Sequence, residues 1–248
     1  MQLDLIEKQR SSEHDTKPLS KNIEHFRAIH YLGSKLRMLE FIKSIADKED
    51  PMQGAIFDLF SGSGSVSQLF SNSRRVISVD IQEYSKVICT AVLMPCSDGR
   101  LIEYGEKVRS SPIRSILEEA LQPLISYERK IVEAGNKNNL EPVCNFLENC
   151  SLYSAIENSS SDCLPELDGA LTNTKKAIGK LELMPPLASI YFGGIYFSFE
   201  QAVHLDVILQ EIKKAPENYK STLMAAVLST ASDIVNTVGK QFAQPIRP

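Results

Sequence analysis

The chain reads as an α/β protein that opens a doubly wound, mostly parallel sheet, and three features predict this. An apolar strand, Ala55-Ile56-Phe57-Asp58-Leu59-Phe60, runs into a glycine turn, Ser61-Gly62-Ser63-Gly64-Ser65, and a helix starts over 66–70. A second strand, Val76-Ile77-Ser78-Val79-Asp80, carries the adjacent apolar positions of a strand buried on both faces. A further helix follows over 84–93. Strand, glycine turn, helix, strand, helix is how such sheets begin.

The remaining elements follow from periodicity and punctuation. Residues 1–24 are polar and mixed in charge, and read as a mobile lead-in. Leu36, Leu39, Ile42 and Ile45 give helix spacing over 36–47. Residues 25–95 then form the α/β core. Residues 96–190 read as an insertion, helical over 113–134 and loop-rich through 135–139 and 158–162, and are expected to serve as a DNA-recognition region. Residues 191–248 hold an aromatic stretch, Tyr191-Phe192-Gly193-Gly194-Ile195-Tyr196-Phe197, in which Phe192 and Phe197, with Phe199, are expected in the core. Ser198 and Gln201 make an S-x-x-Q capping box. It opens a helix to about Lys214, with Val203, Leu205, Ile208, Leu209 and Ile212 inward. A last helix over about 221–238 takes Gly239 as its cap. Both helices are expected to pack back on the sheet.

Composition narrows the classes. Of 248 residues, 43% are hydrophobic and 23% charged, which is ordinary for a globular chain large enough for one domain with an insertion. The net charge of −4 means that contact with a polyanion must rest on a local basic face or a basic partner. The five cysteines form no C-x-x-C pair and suit no metal site, so free thiols in a reducing cytoplasm are expected. No run approaches the ~20 apolar residues of a membrane span, so the protein is expected in the cytoplasm and off the membrane.

The chemistry gathers around the glycine turn. Backbone N–H groups at a strand-to-helix turn admit a ligand closely only where side chains are missing. Asp80 ends the second strand 22 positions after Asp58. A carboxylate there can accept both hydroxyls of a ribose. The pair favours an adenosine-containing cofactor. A dinucleotide enzyme wants G-x-G-x-x-G/A, yet Ser67 stands where the third glycine or alanine would be.

The pattern Asp58-x-Phe60-x-Gly62-x-Gly64 resembles the first motif of S-adenosylmethionine-dependent methyltransferases. Tyr31-Leu32-Gly33-Ser34-Lys35, some two dozen residues ahead of D-L-F-S-G-S-G-S-V, resembles the Y-x-G-x-K element of Dam-type adenine-specific DNA methyltransferases. The segments Y-F-G-G-I-Y-F-S-F-E-Q-A at 191–202 and D-I-V-N-T-V-G-K-Q-F-A-Q-P at 233–245 resemble restriction-modification enzymes of the same kind. The resemblance implies a Rossmann-like methyltransferase fold, here an incomplete half with a mainly helical insertion. It implies S-adenosylmethionine as cofactor, bound by Tyr31, Gly33, Ser34, Lys35, Asp58, Phe60, Ser61, Gly62, Gly64, Ser65, Val66, Asp80 and Ile81. Lys35 would meet the methionine carboxylate or a DNA phosphate, and Asp58 the cationic amino group. Double-stranded DNA is the expected substrate, touched by Lys35, Arg37, Arg74 and Arg75, with Lys21, Arg27 and Lys43 adding to the basic face.

The family's catalytic [D/N/S]-P-P-[Y/F/W] motif is missing. Its polar group and carbonyl accept from the adenine amino group while its ring stacks on the flipped base. The Pro-Pro of Met184-Pro185-Pro186-Leu187 offers neither acceptor nor ring and reads as a turn. The sequence stops at Gln244-Pro245-Ile246-Arg247-Pro248, short of where the family continues. The expectation is the cofactor-binding subunit of a split adenine methyltransferase, inactive until a second chain supplies a D-P-P-Y-type motif. The alternatives are a truncated gene product and a non-catalytic DNA-binding or regulatory module. A cytosine-amino specificity would share the same cofactor motifs.

Overall fold

The computed structural model describes residues 35–96, 101–157 and 163–237. Lys35–Met38 form a 3₁₀ turn that leads into helix α1 (Leu39–Glu49). Strands β1 (Ile56–Asp58) and β2 (Val76–Ser78) then pair in parallel, Ile56 opposite Val76 and Asp58 opposite Ser78. Helix α2 (Ser65–Ser71) makes the crossover between them, and α3 (Glu83–Leu93) follows β2. Both strands are shorter than their apolar runs because the ladder gives way to the glycine turn, where Ser61 N–H donates to the Val79 carbonyl. Leu39, Val66 and Phe70 are buried together, with Ile42, Ile56 and Val76 packed on them. Alternation turns Phe57 to the opposite face, where it is 62% exposed.

Arg74 fastens this unit. Its side chain is only 1% exposed, and its guanidinium donates to Asp47 Oδ1 at 2.8 Å and Asp50 Oδ2 at 2.9 Å. It also lies over the Phe70 ring, 5.5 Å from the centroid. The C-terminus of α1 is thus tied to the loop before β2.

The rest of the described chain is helical: α4 (Leu101–Arg109), α5 (Ile113–Asn136), α6 (Glu141–Asn149), α7 (Leu152–Ile156), α8 (Pro165–Ile178), α9 (Leu187–Phe192), α10 (Phe199–Lys213) and α11 (Glu217–Ile234). The expected strand–turn–helix–strand opening is present with its parallel pairing, while the described residues as a whole are mostly helix with one two-stranded sheet. The insertion is also less loop-rich than expected, because α6, α7 and α8 fill it; residues 158–162 lie outside the described residues. Apolar residues Leu117, Leu121, Leu124 and Ile131 on one stripe of α5 meet Phe146, Leu152, Leu167 and Leu171 from α6 to α8.

Helix α10 belongs to this helical core rather than to the sheet. Phe199, Val203 and Val207 face α5, and Ala202 and Leu205 pack with Ala188, Ala231 and Val235. Of the five residues expected inward, Val203, Leu205 and Ile212 are buried and Ile208 and Leu209 half-buried, while Phe199, Ala202, Asp206, Val207 and Gln210 are buried as well, and the polar groups of the helix are matched accordingly. Asp206 accepts from Ala188 N, Ser189 N and Ser189 Oγ at 2.7–2.9 Å, which caps α9. The capping box forms as read: Ser198 Oγ accepts from Gln201 N, and Gln201 Oε1 from Ser198 N.

Helix α11 packs on α3, not on the strands. It ends at Ile234 instead of running to 238, because Asn236 N–H donates to the Tyr196 carbonyl at 2.9 Å and draws the chain off the helix axis. Gly239, the expected cap, lies outside the described residues. The aromatic stretch is not a strand but the end of α9 and a turn through Gly193 and Gly194. Phe197 and Phe199 are buried, whereas Phe192 is 38% exposed. A Cβ on Gly193 would lie 2.7 Å from the Phe199 ring, and one on Gly194 2.7 Å from Cys150 Sγ, so the two glycines seat core side chains. Among the described residues, no helix is long and apolar enough to cross a membrane.

Candidate functional site

A cleft of about 330 Å³ opens where β1 and β2 end, bounded by Lys35, Phe60, Ser61, Gly62, Ser63, Ser65, Val66, Asp80, Ile81, Gln82 and Tyr84. The glycine turn builds one wall. Gly62 and Gly64 have φ of +51° and +75°, the left-handed region that favours glycine. A Cβ on Gly62 would meet nothing within 4 Å, so the missing side chain leaves room for a ligand. A Cβ on Gly64 would press on Cys89 Sγ at 3.1 Å. Gly64 therefore packs on α3 behind the cleft. Burial pushes the Cys89 thiol up, which leaves it a neutral packing group there.

Asp80 joins the two strand ends. Its Oδ2 accepts from Gly62 N and its Oδ1 from Gln82 N, both at 2.9 Å. Those two N–H groups, Gln82's first, hold the carboxylate below its ordinary range. Each oxygen keeps acceptor capacity for a hydroxyl. Phe60 and Ile81 flank it, 80% and 98% exposed, as apolar walls beside a charged floor.

Asp58 lies beneath the turn and is buried. Its Oδ2 accepts from Ser67 Oγ at 2.8 Å, and Oδ1 from Lys35 Nζ at 3.1 Å. Lys35 Nζ also donates to the Phe60 carbonyl at 2.8 Å. Eight of the residues expected at a cofactor thus line one cleft, with Asp58 and Gly64 as its support; Tyr31, Gly33 and Ser34 lie outside the described residues. Ser63, Gln82 and Tyr84 were not foreseen. The signal was available for Gln82, which follows the acidic strand end at the start of a helix.

The expected basic face does not assemble as read. Arg74 is enclosed by Asp47 and Asp50, Lys43 pairs with Asp47 at 2.9 Å, and Lys35 turns into the cleft. Arg37 and Arg75 remain exposed, and Lys21 and Arg27 lie outside the described residues. Among the described residues no group of His, Cys, Asp and Glu gathers as metal ligands, and the five cysteines are free thiols.

A glycine turn and an acidic strand end facing one cleft at the open end of parallel strands have the shape and the acceptors to take a nucleoside. Residues 31–112, which contain it, match the family model of the D12 class N6 adenine-specific DNA methyltransferases. The resemblance read from the Y-x-G-x-K element and the glycine motif holds over that stretch. A 100-residue stretch is also 33% identical to the modification methylase LlaI of Lactococcus lactis subsp. lactis, covering 40% of this chain. The chain spans 16% of that relative's length. No solved structure matches the chain.

Proposed function

We propose that this chain binds S-adenosylmethionine for a restriction-modification type DNA adenine methyltransferase, and that a second chain bearing a D-P-P-Y-type motif completes it. The observation that carries the reading is the cleft itself. Residues picked out by a methyltransferase motif converge on it, within the stretch that matches the family. D12-class enzymes are generally S-adenosylmethionine-dependent, and the residues fit that group. Asp80 takes the ribose hydroxyls, Gly62 leaves room for the backbone to approach, and Phe60 and Ile81 supply apolar walls for the adenine. Bound there, the cofactor supplies an electrophilic methyl on a sulfonium. This chain's residues hold it in one orientation, which is where most of the rate of an in-line transfer arises.

Two further observations support a partner. The 248 residues contain no D-P-P-Y-type motif, and the Met184-Pro185-Pro186 stretch is used in packing, its Met184 carbonyl accepting from Gln210 Nε2 at 3.2 Å. The far side of the sheet is apolar and open, with Phe57 62% and Leu59 58% exposed. A small sheet with a bare apolar face calls for a cover. Strands from the partner would extend it toward a Rossmann-like sheet and carry the catalytic loop over the cleft. Such an interface replaces a domain interior and should exceed ~2,000 Å².

The test uses labelled cofactor and double-stranded DNA. The purified chain alone should transfer no methyl group, and mixing it with the partner should restore transfer to adenine N6. Transfer by the chain alone would falsify the split arrangement.

A further inference from the structure

We propose that the cavity between α5, α6 and the turn before α10 binds a small alkyl ammonium ligand, with the Glu128 carboxylate as its counter-charge. This cavity shares no lining residue with the cleft at the strand ends.

It encloses about 420 Å³, within the size of small-molecule sites. Ile131 of α5, Val143 and Phe146 of α6, and Phe197 of the turn give it apolar walls. Among the described residues that line it, Glu128 alone is charged, and it is only 8% exposed. Glu128 Oε2 accepts from Phe199 N at 2.8 Å and holds the start of α10. That cap needs one oxygen. Oε1 has no protein partner among the described residues, yet it is not sealed in by protein. It is left as an open acceptor on an apolar cavity.

The surrounding elements offer this carboxyl no counter-charge. Glu200 on α10 is an anion, paired with Arg129, and Glu166 on α8 is paired with Lys130. Burial keeps the Cys150 thiol after α6 neutral, and the turn brings only Tyr196. Burial therefore pushes Glu128 up to about 7, against the pull of the Phe199 N–H.

Each class of ligand meets the cavity differently. An anion meets a like charge and no cation. A neutral alcohol gains the apolar walls and one hydrogen bond. An alkyl ammonium lays its stem on the same walls and gives Oε1 the charge it lacks, and a buried charge is tolerated when paired. Its arrival expels the proton that the carboxyl holds near neutral pH.

NMR titration of the isotope-labelled full chain with hexylamine, hexanol and hexanoate tests this. The readout is the Phe199 amide, which donates to Glu128. At about pH 8 hexylamine should bind about tenfold or more tighter than hexanol, the scale of one charged hydrogen bond. Hexanoate should bind most weakly. At about pH 5 hexylamine keeps its charge but Glu128 does not, so the lead over hexanol should all but vanish. Nα-acetyllysine methylamide, the same ammonium on a peptide, should bind more weakly than hexylamine, because its peptide groups would meet apolar walls. Tighter binding by that peptide overturns the small-molecule assignment. Glu128→Gln keeps an acceptor for the Phe199 N–H and should bind hexanol as wild type does while losing the preference for the amine. If that variant fails to fold, the pH series on the native chain decides. Equal binding of hexylamine and hexanol at the higher pH, a lead that persists unchanged at the lower, or no binding by any probe overturns the proposal.

Discussion

Gly62 and Gly64 are glycines for different reasons, and the difference can be measured. Both sit at positive φ, but only Gly64 has a neighbour, Cys89 Sγ, where its Cβ would go. Gly64→Ala is expected to cost about 1–3 kcal/mol of stability, and Gly62→Ala nearer ~1 kcal/mol, both read from thermal unfolding. The order should reverse for binding. Gly62→Ala puts a methyl into the open cleft and should weaken S-adenosylhomocysteine most in a titration, whereas wild-type affinity in that variant removes the turn from the site. Asp80→Ala should also lower that affinity, about tenfold or more for a charged acceptor lost, and should loosen the turn because Gly62 N–H loses its partner. These positions were legible in the sequence because a turn's glycines and an acidic strand end are local signals. Arg74 was not legible as structural. Its partners Asp47 and Asp50 lie 27 and 24 positions away, and only folding brings them to its guanidinium.

At the scale of elements, the helical region is held by carboxyl groups that cap helix ends from a neighbouring helix. Asp206 caps α9, and Glu128 on α5 accepts from Phe199 N at 2.8 Å at the start of α10. Burial pushes Glu128 up to about 7, with the Phe199 N–H pulling it back and the Glu200 charge adding to the rise. Burial likewise raises Asp206 to about 6, against the hydrogen bonds from Ser189 and Ala188. Both lie above their ordinary values of 4.5 and 3.8. The folded state then binds more protons than the unfolded, so stability falls as pH rises, from 3.8 to 6 for Asp206 and from 4.5 to 7 for Glu128. Glu128→Gln keeps an acceptor for the Phe199 N–H without the charge. It should gain about 1–3 kcal/mol over wild type as pH goes from about 5 to 8, in denaturant unfolding followed across that range. A constant difference between the two proteins rules out the burial-driven rise at Glu128. The sequence showed the Ser198–Gln201 box, which closes within four residues. It did not show the caps from Asp206 and Glu128, which cross 17 to 71 positions. The same limit explains why α10 was read as a sheet-packing helix: periodicity reports how wide an apolar face is, not what covers it.

For the whole molecule, contact with DNA depends on where the cations sit, and of the four residues expected to touch it Arg37 and Arg75 are exposed, while Arg74 is enclosed and Lys35 faces the cleft. If Arg37 and Arg75 are its phosphate contacts, DNA binding by the isolated chain should be weak. A fourfold rise in salt should cut it roughly tenfold, the counterion release of about two phosphates. A slope several times steeper in a fluorescence titration would mean that basic residues beyond these two meet phosphates. The sequence did not show where the strand unit and the helical part meet. That seam runs along α3 and α11, where Cys96 N–H reaches Thr222 Oγ1 across 126 positions. That seam has a consequence for the birth of the protein. The strand unit leaves the ribosome before the helical part, with the apolar side of α3 bare until the chain has been extended past residue 222. At synthesis rates of about 5–20 residues per second the exposure lasts roughly 6–25 s. During that interval the nascent chain must be shielded by chaperones or risk association with its neighbours on the same message.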